Sequence, residues 1–124
     1  MMHNLDFECM KLAQAIVSSS SIDRSKLENN LRKALGVLQE DGVYAMFLWL
    51  ESRDKTVREE LTSLLNEPEI KRYLLNDSER FDNNNFAAFC NNLAKVAKNI
   101  DKLLFIKKLL ERTLVYALYH ARIG

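Results

Sequence analysis

The stretch that most limits what this chain can become is Leu103 to Ile123. Leu103, Ile106, Leu110, Leu114, Ala117 and Ala121 recur at steps of three and four, which at about 100° per residue gathers them into one stripe of a helix. Phe105, Leu109, Tyr116, Leu118 and Ile123 widen the apolar arc. Only a strip carrying Lys108, Glu111, Arg112, Tyr119 and Arg122 is left for solvent. A helix apolar around most of its circumference must be covered by neighbours on several sides, so the stretch predicts the central helix of a bundle.

The rest of the chain fits that reading. Three glycines and one proline in 124 residues leave few breakers, and a domain of this length buries enough surface to need neither metal nor disulfide. The expected fold is all-α: a compact single-domain helical bundle, 1–124, of about six helices with a long hydrophobic C-terminal helix. Met1 to Met10 has no basic start followed by an apolar run, so no signal peptide is expected. The longest uncharged apolar run, Val43 to Leu50, is too short to cross a bilayer, which points to the cytoplasm.

Along the chain, Leu5, Cys9, Leu12, Ala13 and Ile16 predict a first helix from Asn4 or Leu5 to Ser18, ended by the four serines Ser18 to Ser21. Asp23 and the capping-box pattern Ser25-Lys26-Leu27-Glu28 start a second, with Leu27, Leu31, Ala34, Leu35 and Leu38 inside. After Gly42, the run Val43 to Leu50 is apolar on all sides and is expected as a buried helix. Thr56-Val57-Arg58-Glu59 repeats the capping box, and Pro68 suits the first turn of a short helix. Asn76 to Asn85 is polar and reads as the longest loop. Beyond it, Phe86, Cys90, Leu93, Ala97 and Ile100 mark the inner face of another helix, with Asn99 or Asp101 placed to cap the last.

Signatures of catalysis are missing: no HExxH, GxSxG, P-loop or glycine-rich turn after a strand. No cofactor or metal is expected, because Cys9 and Cys90 stand alone with only His3 and His120 beside them and read as buried small hydrophobes. Helical RNases of the HEPN type set Arg and His four to six residues apart. Here seven residues separate Arg112 from His120, turning them roughly 80° from each other, and His120 is expected to fill a packing position.

Charge supplies the functional lead. Residues 90–124 carry seven basic and two acidic side chains, while residues 1–66 carry eight and ten. Lys95, Lys98 and Lys102 are placed to line one helix edge, with Lys107, Lys108 and Arg112 following on the next. Such a row can lie along a phosphodiester backbone and neutralise phosphates without reading a base. The alternative is a solvated helix face on a helical protein-interaction module or homodimer with no nucleic-acid role.

Two stretches carry a family resemblance. Asp41-Gly42-Val43-Tyr44-Ala45-Met46-Phe47-Leu48-Trp49-Leu50-Glu51-Ser52-Arg53 and Leu110-Glu111-Arg112-Thr113-Leu114-Val115-Tyr116-Ala117-Leu118-Tyr119-His120-Ala121-Arg122 resemble blocks of the Cmr-type small helical subunit of CRISPR type III-B effector complexes, or of a related CRISPR effector small subunit. The resemblance implies a non-catalytic building block of an antiviral ribonucleoprotein. Its partners would be the other effector subunits, further copies stacked head to tail, and guide and target RNA, with no membrane and no small-molecule substrate.

Overall fold

The computed structural model describes residues 4–76 and 78–123; Met1, Met2 and His3, on which part of the signal-peptide reading falls, lie outside the described residues. Seven helices follow one another among the described residues: α1 (Leu5–Ser19), α2 (Arg24–Asp41), α3 (Val43–Arg53), α4 (Lys55–Leu65), α5 (Pro68–Leu74), α6 (Phe86–Ala97) and α7 (Ile100–Ile123). No strand occurs among them.

As its periodicity predicts, α7 is the hub. It lies against α1 and α2 along much of its length and touches α3 and α6, burying Ile106, Leu109, Leu110, Leu114, Ala117, Leu118 and Ala121. At about 1.5 Å per residue its 24 residues reach about 36 Å. Helices α3 and α4 complete the bundle against α2 and α1. One buried cluster draws side chains from all seven helices. The Cys9 thiol sits inside it, donating to the Leu109 carbonyl over 3.7 Å. Burial pushes its pKa above the ordinary thiol value.

The junctions are short because single residues serve two helices. Gly42 ends α2 and starts α3 at φ 100°, ψ −178°, a region open to glycine and strained for any residue with a Cβ. Asp54 ends α3, and its Oδ1 accepts from the Val57 N–H at 3.3 Å to start α4. This corrects the capping-box reading of Thr56 and Glu59: the helix already begins at Lys55, which places Thr56 inside its first turn. Asp23 likewise caps α2, accepting from the Lys26 N–H at 2.9 Å. Glu28 is left for Arg32 and Arg122.

Three expectations of burial need correction. In α3 the outer face is open, with Tyr44 and Leu48 exposed while Val43, Met46, Phe47 and Leu50 are buried. Helix α6 buries Phe89, Leu93 and Val96; of the predicted row, Leu93 is buried and Phe86 and Cys90 are half-buried against the core, but Ala97 is exposed and Ile100 is 66% exposed. The cause is aromatic: Phe89 meets Phe47 at a centroid distance of 4.7 Å, Phe86 at 5.8 Å and Phe81 at 6.0 Å. Packing around that ring turns the helix. His120 is exposed and Cys90 is half-buried, so neither is the packed core residue expected.

Candidate nucleic-acid interface

The proposed cationic row is interrupted by a break between α6 and α7. Helix α6 ends at Ala97 and Lys98 is its C-cap. Asn99 then turns its Oδ1 to the Lys102 N–H at 3.2 Å, the bond that opens α7. Lys95, Lys98 and Lys102 therefore stand on the end of one helix, in the break, and on the start of the next. Asn99 is the cap the sequence offered beside Asp101.

Two of the six cations are engaged by acids of the same chain. Lys95 Nζ pairs with Glu79 Oε2 from the loop after α5, and the ammonium beside Glu79 holds that carboxyl below its ordinary pKa. Arg112 Nη1 lies 3.4 Å from Asp6 Oδ1 on α1. No described carboxylate lies within 4 Å of Lys98, Lys102, Lys107 or Lys108.

On α7, Lys108 and Arg112 are one turn apart and share a face, while Lys107 is rotated about 100° from Lys108. Lys108, Glu111, Arg112, Val115 and Tyr116 line a shallow surface depression there. The result is a cationic rim wrapping the first half of α7 rather than a straight row.

Sequence reasoning missed the aromatic component of this rim. Tyr73 of α5, 47% exposed, meets the Phe105 ring edge-on at 5.0 Å, and the Lys102 ammonium lies 5.7 Å from the Tyr73 centroid. Exposed aromatic faces beside cations are what single-stranded nucleic acids stack on. The signal available was Tyr73 on the solvent side of a short amphipathic turn, which becomes meaningful only once α5 is placed against α7. Ile100 and Leu104, exposed beside the same rim, add an apolar patch.

Among the described residues no three His, Cys, Asp or Glu side chains converge as metal ligands, and no helix is long and apolar enough to cross a membrane. Arg112 is tied to Asp6 and His120 faces solvent. Fold and rim together define an all-α bundle with a one-sided cationic and aromatic edge. Compared with protein-family models, curated proteins and solved structures, the chain matches none at a significant level.

Proposed function

We propose that the chain is a non-catalytic small subunit of a cytoplasmic type III CRISPR ribonucleoprotein effector, stacking in several copies along guide and target RNA. The observation that carries this reading is the set of four lysines, Lys98, Lys102, Lys107 and Lys108, left without a described carboxylate around the α6–α7 break. The resemblance of the α3 and α7 stretches to the Cmr-type small subunit supports the same reading.

Contacts of ammonium groups with phosphates give salt-sensitive binding that is blind to sequence. One copy with about four such contacts binds single strands weakly, with a dissociation constant on the order of micromolar or above. Stacked copies raise the affinity through effective concentration.

The test is fluorescence anisotropy with an unstructured single-stranded RNA across a salt series. A slope of log K against log salt of about −3 is expected, at about −0.7 per phosphate. Replacing Lys98, Lys102, Lys107 and Lys108 by Glu should abolish binding with an unchanged helical circular dichroism spectrum. Unaltered binding in that folded variant rejects the site.

A second reading, a protein-interaction module or homodimer without a nucleic-acid role, is favoured by exposed Ile100 and Leu104. Purified protein free of nucleic-acid absorbance, self-associating through a contact that Leu104→Glu abolishes, would establish it.

A further inference from the structure

Away from the α7 rim, a polar cavity of about 400 Å³ opens where the α1–α2 loop meets the α3–α4 junction. Cationic residues from three elements line it: Lys26 from the first turn of α2, Arg53 from the end of α3 and Lys55 from the start of α4. Its volume lies in the range of small-ligand sites.

Little in the fold neutralises these charges. Asp54 is the single carboxylate lining the cavity, and both its oxygens are engaged: Oδ1 accepts from the Val57 N–H at 3.3 Å and Oδ2 from the Asn30 amide at 3.0 Å. Lys55 has only a loose partner in Glu51, at 3.8 Å, whose other oxygen is held by Arg58 at 2.9 Å. Lys26 has no described carboxylate within 4 Å, and the Arg53 guanidinium lies 5.2 Å from the Trp49 centroid. The Ser21 and Thr56 hydroxyls and the Asn29 amide also have no partner among the described residues. The cavity is thus lined by more cations than anions, together with unengaged hydrogen-bonding groups.

We propose that this cavity is a binding site for a phosphomonoester, with Lys26, Arg53 and Lys55 neutralising the phosphate and the Ser21 and Thr56 hydroxyls donating to its oxygens. With the Asp54 carboxylate counted, a guanidinium and two ammonium groups leave two net positive charges, matching a compact dianion, and charge-assisted hydrogen bonds to phosphate are the stronger kind. Because Asp23 and Asp54 each accept from one first-turn N–H, that of Lys26 and of Val57, and set a carboxylate at the start of α2 and α4, recognition is assigned to these side chains. The phosphate could belong to a free nucleotide or to the 5′ end of a strand. The site stands independently of the α7 rim.

Trp49 is the chain's one tryptophan, so its fluorescence reports on Arg53 directly. The experiment titrates the full chain with inorganic phosphate, adenosine monophosphate, and a short oligoribonucleotide bearing either a 5′-phosphate or a 5′-hydroxyl. Saturable quenching by phosphate is expected. A response to the mononucleotide identifies the free form as the source, and a preference for the 5′-phosphorylated strand over its 5′-hydroxyl twin identifies the strand end. Lys26→Ala, and separately Lys55→Ala, which leaves the fluorescence reporter untouched, should each weaken binding about tenfold, the loss of one charge-assisted bond. Lys33→Ala, exposed on α2 and outside the cavity lining, should not alter it. No saturable response to phosphate, or equal affinity in Lys26→Ala, Lys55→Ala and the parent chain, overturns the proposal.

Discussion

Asp6 and Tyr116, 110 positions apart, are joined by a 2.5 Å hydrogen bond from the phenol to the carboxylate, which ties the first turn of α1 to the middle of α7. The same Oδ1 lies 3.4 Å from Arg112. Hydrogen bonding to Asp6, then burial, raises the Tyr116 pKa above its ordinary value. A raised pKa means the bond's stabilisation is present in full below the unfolded tyrosine value and is lost as pH rises through the higher folded one. Asp6→Ala should bring Tyr116 back toward ordinary titration, read by tyrosinate absorbance. The melting-temperature gap between parent and variant should close in alkali. An unchanged Tyr116 titration would show that the bond does not form.

The loop between α5 and α6 should respond to acid. Glu79 is held below its ordinary pKa by Lys95, and Asp82 by the N–H groups of Asn85 and Asn84, each at 2.8 Å. Depressed carboxylates contribute stability above their unfolded values and lose it as pH falls through the lower folded ones. Protection of the Asn84 and Asn85 amides, measured against the intrinsic exchange rate at each pH, should therefore fall in acid before the rest of the bundle opens. Glu79→Gln should release Lys95 and steepen the RNA salt dependence by about 0.7, one phosphate's share.

Gly42 and Gly36 should respond oppositely to alanine. At Gly42 a Cβ meets nothing within 4 Å, so the cost is backbone strain at φ 100°, about 1–3 kcal/mol. At Gly36, inside α2, a Cβ also meets nothing, and Gly36→Ala should stabilise by about 0.5–1 kcal/mol through helix propensity and a less flexible unfolded chain. Urea unfolding of the two variants measures both signs.

Arg58 holds α4 to the loop before α6. It is 4% exposed, bonded through Nε to Glu51 and through Nη1 to Asn83 Oδ1, both at 2.9 Å, with its guanidinium 5.6 Å from the Phe86 centroid. Arg58→Ala should cost about 3 kcal/mol. That figure sits at the low end for a broken buried pair because Glu51 retains partial exposure to water. Arg58→Lys should recover only part of it, since an ammonium cannot span both partners. Denaturant midpoints give the comparison, and a loss under about 1 kcal/mol would mean the pair adds little.

The helices were legible because periodicity is local. The central role of α7 followed from its wide apolar arc, and Asn4, Pro68 and Asn85 took the starting positions their chemistry suits. Choosing among competing signals was harder. In α6, both the predicted row and the observed Phe89-Leu93-Val96 row, which share Leu93, have helical spacing; Phe47 from α3 and Phe81 from the preceding loop decided between them. Phe81 itself is buried within a polar loop, held by reciprocal 2.8 Å hydrogen bonds to the Asn66 side chain, and no pattern in residues 76–85 announces it.

The cationic residues show the same division. Their excess at the C-terminal end is a property of the chain, fixed by counting, and so is the helical content that carries it. Which of them remain available was decided by tertiary structure: Glu79 reaches Lys95 across 16 positions and Asp6 reaches Arg112 across 106, while Tyr73 arrives beside Lys102 from another helix. An electrostatic partner is selected by distance in space, and distance in space between remote residues exists only after the helices have packed.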